Sequence, residues 1–217
     1  AQAQVRPPVL YKVQHPSAFK MLRFGALARC AAKTAAPLRF GVAQRGFAVE
    51  VGSSVLSSDV KLQPAKSWDQ GVEDGFKAAT MQDIFAGKKV VLFAVPGAYT
   101  GVCSQAHVPS FIKVAGDLKA KGVDTIACVS VNDPYTMAAW AKQVDPSGTI
   151  TFYGDADCSF TKYVGKNVDL NVAALGPGER SNRYSMLVEN GSVTKLFVEE
   201  GAGDLKVSDG ETMLAAL

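Results

Sequence analysis

At 217 residues the chain has room for one ordinary domain and an appendage, with enough length to bury a substantial core. Its net charge of +3 is uneven: eight of the 23 Lys and Arg precede Glu50, the first carboxylate, so the rest carries 15 basic against 20 acidic side chains. A mildly acidic domain excludes a nucleic-acid reading, which needs a basic face for phosphates, and the longest apolar run, residues 90–99, is too short and too broken by Pro96 and Gly97 to cross a membrane.

Taken in chain order, the first piece is a leader. Residues 1–47 carry Arg6, Lys12, Lys20, Arg23, Arg29, Lys33, Arg39 and Arg45 with no acid, and from Met21 onward they are rich in Ala, as a mitochondrial or chloroplast transit peptide is. Arg45-Gly46-Phe47 before Ala48 resembles a matrix-protease cleavage site, so a domain over 48–217 starting at Ala48 is expected, in the mitochondrial matrix, with the plastid as second choice. A disordered basic tail has the same composition. Residues 1–20 lack the leader character and are set aside from fold reasoning.

Residues 49–87, with Gly, Ser and Pro between short apolar pieces, predict an N-terminal hairpin and loops against a sheet edge. From Lys88 apolar bursts alternate with helical stretches, the pattern of an α/β domain. Residues 90–95 read as a buried strand. Residues 101–121 read as an amphipathic helix that Pro109 kinks or restarts. Residues 125–131 form a second strand covered on both faces. Asp133 as N-cap and Pro134 as first helical residue open a helix to about Val144. A short strand over 151–153 and a short helix over 157–164 follow. Strands over 184–189 and 192–198 are joined by Asn190-Gly191, a two-residue hairpin signal, so the sheet is mixed. Asn190-Gly191-Ser192 also matches a glycosylation sequon and is read as a turn. A last helix spans about 209–216.

The chemistry concentrates where the first buried strand runs into a helix, the end of an α/β sheet that usually holds the ligand. Cys103 lies there, beside the helix's unpaired N–H groups and the positive end of its dipole, surroundings that favour thiolate. Thr100, one turn earlier, can bring a hydroxyl to the sulfur or to an incoming oxygen, and Pro96 stiffens the loop. Buried packing is the ordinary role of a lone cysteine. A cation is still needed. After Ala48 there are thirteen lysines and only two arginines, Arg180 and Arg183. Three apart on a strand they face opposite ways, and Arg183, next to the apolar run 186–188, is the better candidate to point inward, with Arg180 on the surface. His107, the only histidine after the leader, follows Cys103 by four positions and either lines the pocket or is structural. Cys128 and Cys158 complete the domain's thiols, an odd set without close spacing and so no secreted disulfide framework.

The run from Pro96 to Pro109 contains Pro-x-x-x-Thr-x-x-Cys as Pro96, Thr100 and Cys103, and it resembles the type II, peroxiredoxin-5-like branch of the peroxiredoxins, closest to mitochondrial plant-like members. The resemblance extends from Ser67-Trp68-Asp69 through residues 129–134 to Arg183-Tyr184-Ser185. It implies a thioredoxin-like fold, with helices flanking a mixed central sheet, and a thiol-dependent peroxidase acting on hydrogen peroxide and organic hydroperoxides through a sulfenic acid. It further implies that Cys103 is the peroxidatic cysteine and that Thr100 and Arg183 orient the peroxide. A homodimer, no metal or organic cofactor, and glutathione with glutaredoxin or thioredoxin as reductant are also expected.

Cys128 stands 25 positions after Cys103, the separation at which these relatives place a resolving cysteine, yet it lies in an apolar strand where packing is the ordinary role. Cys158 stands where the resemblance leads one to expect glycine, which leaves a second resolving thiol, a partner-reactive thiol or a neutral change. Two other functions stay open at this point. A disulfide oxidoreductase of the same fold lacks its Cys-x-x-Cys, and a non-catalytic redox sensor or holdase would keep the same residues.

Overall fold

The computed structural model describes residues 48–171, 175 and 178–217. The expected leader, residues 1–47, lies outside the described residues.

Two strands carry the centre. β3 (Lys89–Val95) and β4 (Thr125–Ser130) pair in parallel, Phe93 opposite Cys128, and read as near-continuous apolar runs because both faces of the sheet are covered. Alternate residues of β3 serve opposite cores. Val91, Phe93 and Val95 pack with Cys128, with Phe111 and Leu118 of α3 (Val108–Ala120), and with Met137 and Trp140 of α4 (Pro134–Val144). Val90, Leu92 and Ala94 meet Met81, Ile84 and Phe85 of α2 (Met81–Phe85) together with Phe160 and Val49. The result is a three-layer arrangement in which each strand residue is buried by the helix its parity selects.

The mixed sheet has seven strands in the order β2-β1-β5-β4-β3-β8-β9. β5 (Thr151–Gly154) continues the parallel part, and the antiparallel pair β8 (Tyr184–Glu189) and β9 (Ser192–Val198) closes one side. Their turn has φ of 47° at Asn190 and 78° at Gly191, the positive pair that a two-residue hairpin requires. At the other edge, β1 (Lys61–Pro64) pairs with β5 and with β2 (Ala79–Thr80), the expected N-terminal hairpin. Its long connection holds α1 (Trp68–Glu73), and α2 follows it directly; these two helices were expected as loop. Both carry capping boxes, Ser67 with Gln70 and Thr80 with Asp83. Such boxes are visible in sequence but are followed here by too few residues to show a helical period.

Two further departures have local causes. Helix α5 (Ser159–Tyr163) is shorter than expected, because Asp155 rather than Asp157 receives the amides of Phe160 and Thr161, at 3.0 and 2.8 Å. The pair β6 (Asn167–Asp169) and β7 (Glu179–Ser181), unread in the sequence, forms a separate two-stranded ribbon ahead of Arg183. Helix α6 (Gly210–Ala215), capped by Asp209, ends the domain.

Candidate active site

The segment after β3 is built to deliver a sulfur. Tyr99 holds a left-handed φ of 61°, a conformation that costs a non-glycine residue on the order of 1 kcal/mol and recurs at functional loops. The loop is fastened on both sides of that residue. The Ala98 amide donates to Asn132 Oδ1 at 3.0 Å, and the Ser130 hydroxyl donates to the same oxygen at 2.8 Å. The Thr100 hydroxyl donates to the Gly97 carbonyl at 2.8 Å. Its proton is committed there, so what Thr100 can offer a ligand is a lone pair.

Helical backbone begins at Gly101 and widens into a single π turn over Cys103–His107 before α3 continues. Pro109 explains the widening. It has no N–H to give Gln105 and its ring would press on that carbonyl, so the backbone closes a wider ring, Val108 N–H to Cys103 O, instead of kinking. The Trp140 indole donates to Ser104 Oγ at 3.0 Å and pins the outer side of the turn to α4.

Within this turn Cys103 is 1% exposed, and Arg183, 2% exposed, reaches it from the residue just before β8. Nη1 lies 3.6 Å and Nη2 3.5 Å from Sγ, so the two arms of the fork straddle the sulfur. Nη2 also donates to the Ala202 carbonyl at 3.0 Å, and Nη1 lies 3.1 Å from His107 Nδ1. The roles at that imidazole follow from its other nitrogen. His107 Nε2 is 3.0 Å from the Ser208 carbonyl, which can only accept, so the proton sits on Nε2 and Nδ1 receives from Arg183. Burial, and then the guanidinium beside it, push the imidazole down to about 3, so the ring is neutral. Among the described residues no carboxylate lies within ion-pair distance of Arg183. A buried guanidinium facing only neutral acceptors and one sulfur is an anion-seeking group.

A cavity of about 360 Å³ reaches Arg183 and is lined also by Pro96, Thr100, Val102, Leu170 and Leu175, with Cys103 buried next to its Arg183 wall. His107 is not among its walls; the structure places it behind Arg183.

The expectation of a surface Arg180 is corrected. It is half-buried; Nη1 donates to the Val131 carbonyl at 2.5 Å and Nε to the Leu175 carbonyl at 3.0 Å, so it ties the Asn132 corner to the cavity wall. The opposite-face rule fails here because Asn182 and Arg183 fall between β7 and β8, so the two arginines do not share a strand.

All three described cysteines are free thiols. Cys128 is fully buried in the middle of β4, and burial pushes its thiol well up. Cys158, the N-cap of α5, sits at a φ of 61°, the backbone state that favours the glycine expected there, and burial followed by the nearby Asp155 pushes its thiol up to about 11. Neither environment activates a nucleophile. Asn132 and the tie made by Arg180 escaped the sequence reading because the one acts on Ala98, thirty-four residues away, and the other through backbone carbonyls, which leave no local pattern.

The chain matches known proteins over most of its described length. The Redoxin family model matches residues 52–214. The chain is 46% identical over 204 residues to mitochondrial Peroxiredoxin-2F of Arabidopsis thaliana, covering 93% of this chain and 98% of that one. It is 50% identical over 175 residues to mitochondrial Peroxiredoxin-2F of Oryza sativa subsp. japonica, covering 79% and 87%. The crystal structure of reduced Prx3 from Vibrio vulnificus in complex with H2O2 superposes with a TM-score of 0.67 at 43% identity, covering 77% of this chain and 98% of that one.

Proposed function

The chain belongs to the peroxiredoxin family and is a thiol-dependent peroxidase, and on that premise we propose that Cys103 is the sulfur that meets the peroxide, with Arg183, Thr100 and Pro96 as its site. The observation that carries this reading is the uncompensated guanidinium 3.5 Å from Sγ in a buried site. A thiolate at this sulfur would be the counter-charge that Arg183 otherwise lacks.

The peroxide enters through the cavity beside Pro96 and Val102, and its O–H donates to the free lone pair of Thr100. The thiolate attacks that oxygen. An S–O bond forms as the O–O bond breaks, the sulfur is oxidised to a sulfenic acid, and the far oxygen departs with the electron pair. Arg183 bears on both ends of that displacement, because its fork already faces the sulfur and lines the cavity. The departing oxygen takes a solvent proton and leaves as water or an alcohol.

In the second half of the cycle a thiol displaces hydroxide from sulfur, giving a disulfide and water, and two external thiols then restore the cysteine. Cys128 fills the first role only if the Cys103–His107 turn unwinds, since Cys128 is held in the central strand. Cys158 is not assigned a role. Glutathione with glutaredoxin, or thioredoxin, supplies the external thiols. The two plant relatives are named as mitochondrial, which with the acid-free basic residues 1–47 supports a place in the mitochondrial matrix and a leader removed before Ala48. Val49 packs in the core, so a chain beginning at Ala48 keeps every described core residue. A homodimer that works without membrane association completes the reading.

The test is stopped-flow peroxide consumption by wild type, Cys103→Ser and Arg183→Ala. Loss of the fast phase in the first and a rate lowered about a hundred-fold or more in the second support the assignment. Rapid consumption by Cys103→Ser overturns it.

A further inference from the structure

Arg183 is held in place from one stretch of chain, residues 199–208. Ala202 O receives Nη2 at 3.0 Å, and Ser208 O receives His107 Nε2 at 3.0 Å, whose other nitrogen receives Nη1. This stretch has neither helix nor strand and contains Gly201 and Gly203, so its own backbone does little to fix those two carbonyls.

Glu199 fixes them. It follows the last residue of β9 and is 3% exposed. A single carboxylate oxygen, Oε1, accepts from the amides of Lys206, Val207 and Ser208 at 2.9, 2.9 and 2.8 Å, and from the Ser208 hydroxyl at 2.8 Å. Its own N–H donates to the Arg183 carbonyl at 3.0 Å. Burial pushes this carboxyl upward, but the hydrogen bonds from Val207, Lys206 and Ser208 outweigh it and hold the group below its ordinary value, so it is an anion. Hydrogen bonds to an ionised acceptor are roughly twice as strong as neutral ones.

We propose that Glu199 is a positioning residue for the peroxide step: its carboxylate gathers the 199–208 stretch into one conformation and so aims the Arg183 fork at the Cys103 sulfur. It makes no ion pair with Arg183; it acts through the carbonyls of Ala202 and Ser208. This rests on Arg183 acting in the peroxide step.

The experiment is a double-mutant cycle on the full chain, read as the second-order rate of peroxide reduction in a single turnover. Glu199→Gln, which keeps the shape and removes the charge, is expected to lower the rate roughly ten-fold. Ser208→Ala, which removes one of the four donors, is expected to lower it about two- to three-fold and serves if the first variant fails to fold. In an Arg183→Met background neither change lowers the rate further, because the group they aim is gone. The proposal is overturned by a full rate in the single variants or by equal losses with and without Arg183. If Arg183→Met alone keeps the wild-type rate, the role given to Arg183 fails with it, and that outcome is distinct from the other two.

Discussion

Replacing Arg183 by lysine keeps a charge near the sulfur and removes the fork that straddles it. One ammonium cannot meet Sγ, Ala202 O and His107 Nδ1 from the directions now occupied by two arms. The peroxide rate of Arg183→Lys should therefore fall about a hundred-fold, read by single-turnover kinetics, and a rate within a few-fold of wild type would show that charge alone suffices. His107 acts behind it and has its own signature in stability. Its imidazole titrates at about 3 when folded against 6.5 when free, so the unfolded chain takes up a proton first as the pH falls. The contribution is complete above 6.5 and is lost downward through about 3, with a slope of at most ~1.4 kcal/mol per pH unit. Denaturant titrations of His107→Gln over that window should show a flatter pH dependence than wild type; an unchanged slope would mean that the ring is not buried neutral. At this scale the sequence showed Pro96, Thr100 and Cys103 because they share eight residues, and Arg183 because arginine is scarce after the leader. It hid Asn132, Glu199 and the role of Arg180, whose partners are mostly backbone groups made adjacent only by folding.

Among the elements, the strands and the long helices were legible from apolar runs and caps, down to the bounds of α4 and of the β8–β9 hairpin. The short helices α1 and α2 and the strands β6 and β7 were not, because a window of three to six residues contains less than two helical turns or strand alternations. The hairpin turn and α3 give opposite expectations for one kind of substitution. At Gly191 φ is 78° and an added Cβ would lie 2.4 Å from Leu56 Cγ, so Gly191→Ala should cost about 1–3 kcal/mol. At Gly116, inside α3 with open space around it, Gly116→Ala should stabilise by about 0.5–1 kcal/mol. Equilibrium unfolding checks both, and matching signs would contradict the turn geometry. Pro109 sets a different relation between sequence and function: expected to kink or restart the helix, it stands in the first turn of α3, directly after the π turn that carries Cys103 and His107 toward the same guanidinium.

For the whole molecule, the sheet divides the domain into two cores, and Cys103 and Cys128 belong to the same one. This placement separates the two halves of the cycle. Cys128→Ser should leave the first oxidation unchanged while slowing recovery with dithiol reductants, since Cys128 meets Cys103 only after the turn unwinds; recovery at the wild-type rate would remove Cys128 from the cycle. The overall α/β order was readable from the alternation of strand and helix, whereas the edge position of the N-terminal hairpin rests on pairing between residues about ninety positions apart, Gln63 with Gly154, which no local pattern encodes. The most direct measurement is to treat reduced protein with one equivalent of peroxide, trap sulfenic acid with a dimedone-type reagent and map the label by peptide mass spectrometry. Label on Cys103, strongly reduced in Arg183→Ala, is the expected result. Label appearing first on Cys128 or Cys158, or on Cys103 to the same extent without Arg183, would contradict a peroxide site built from that sulfur and that guanidinium.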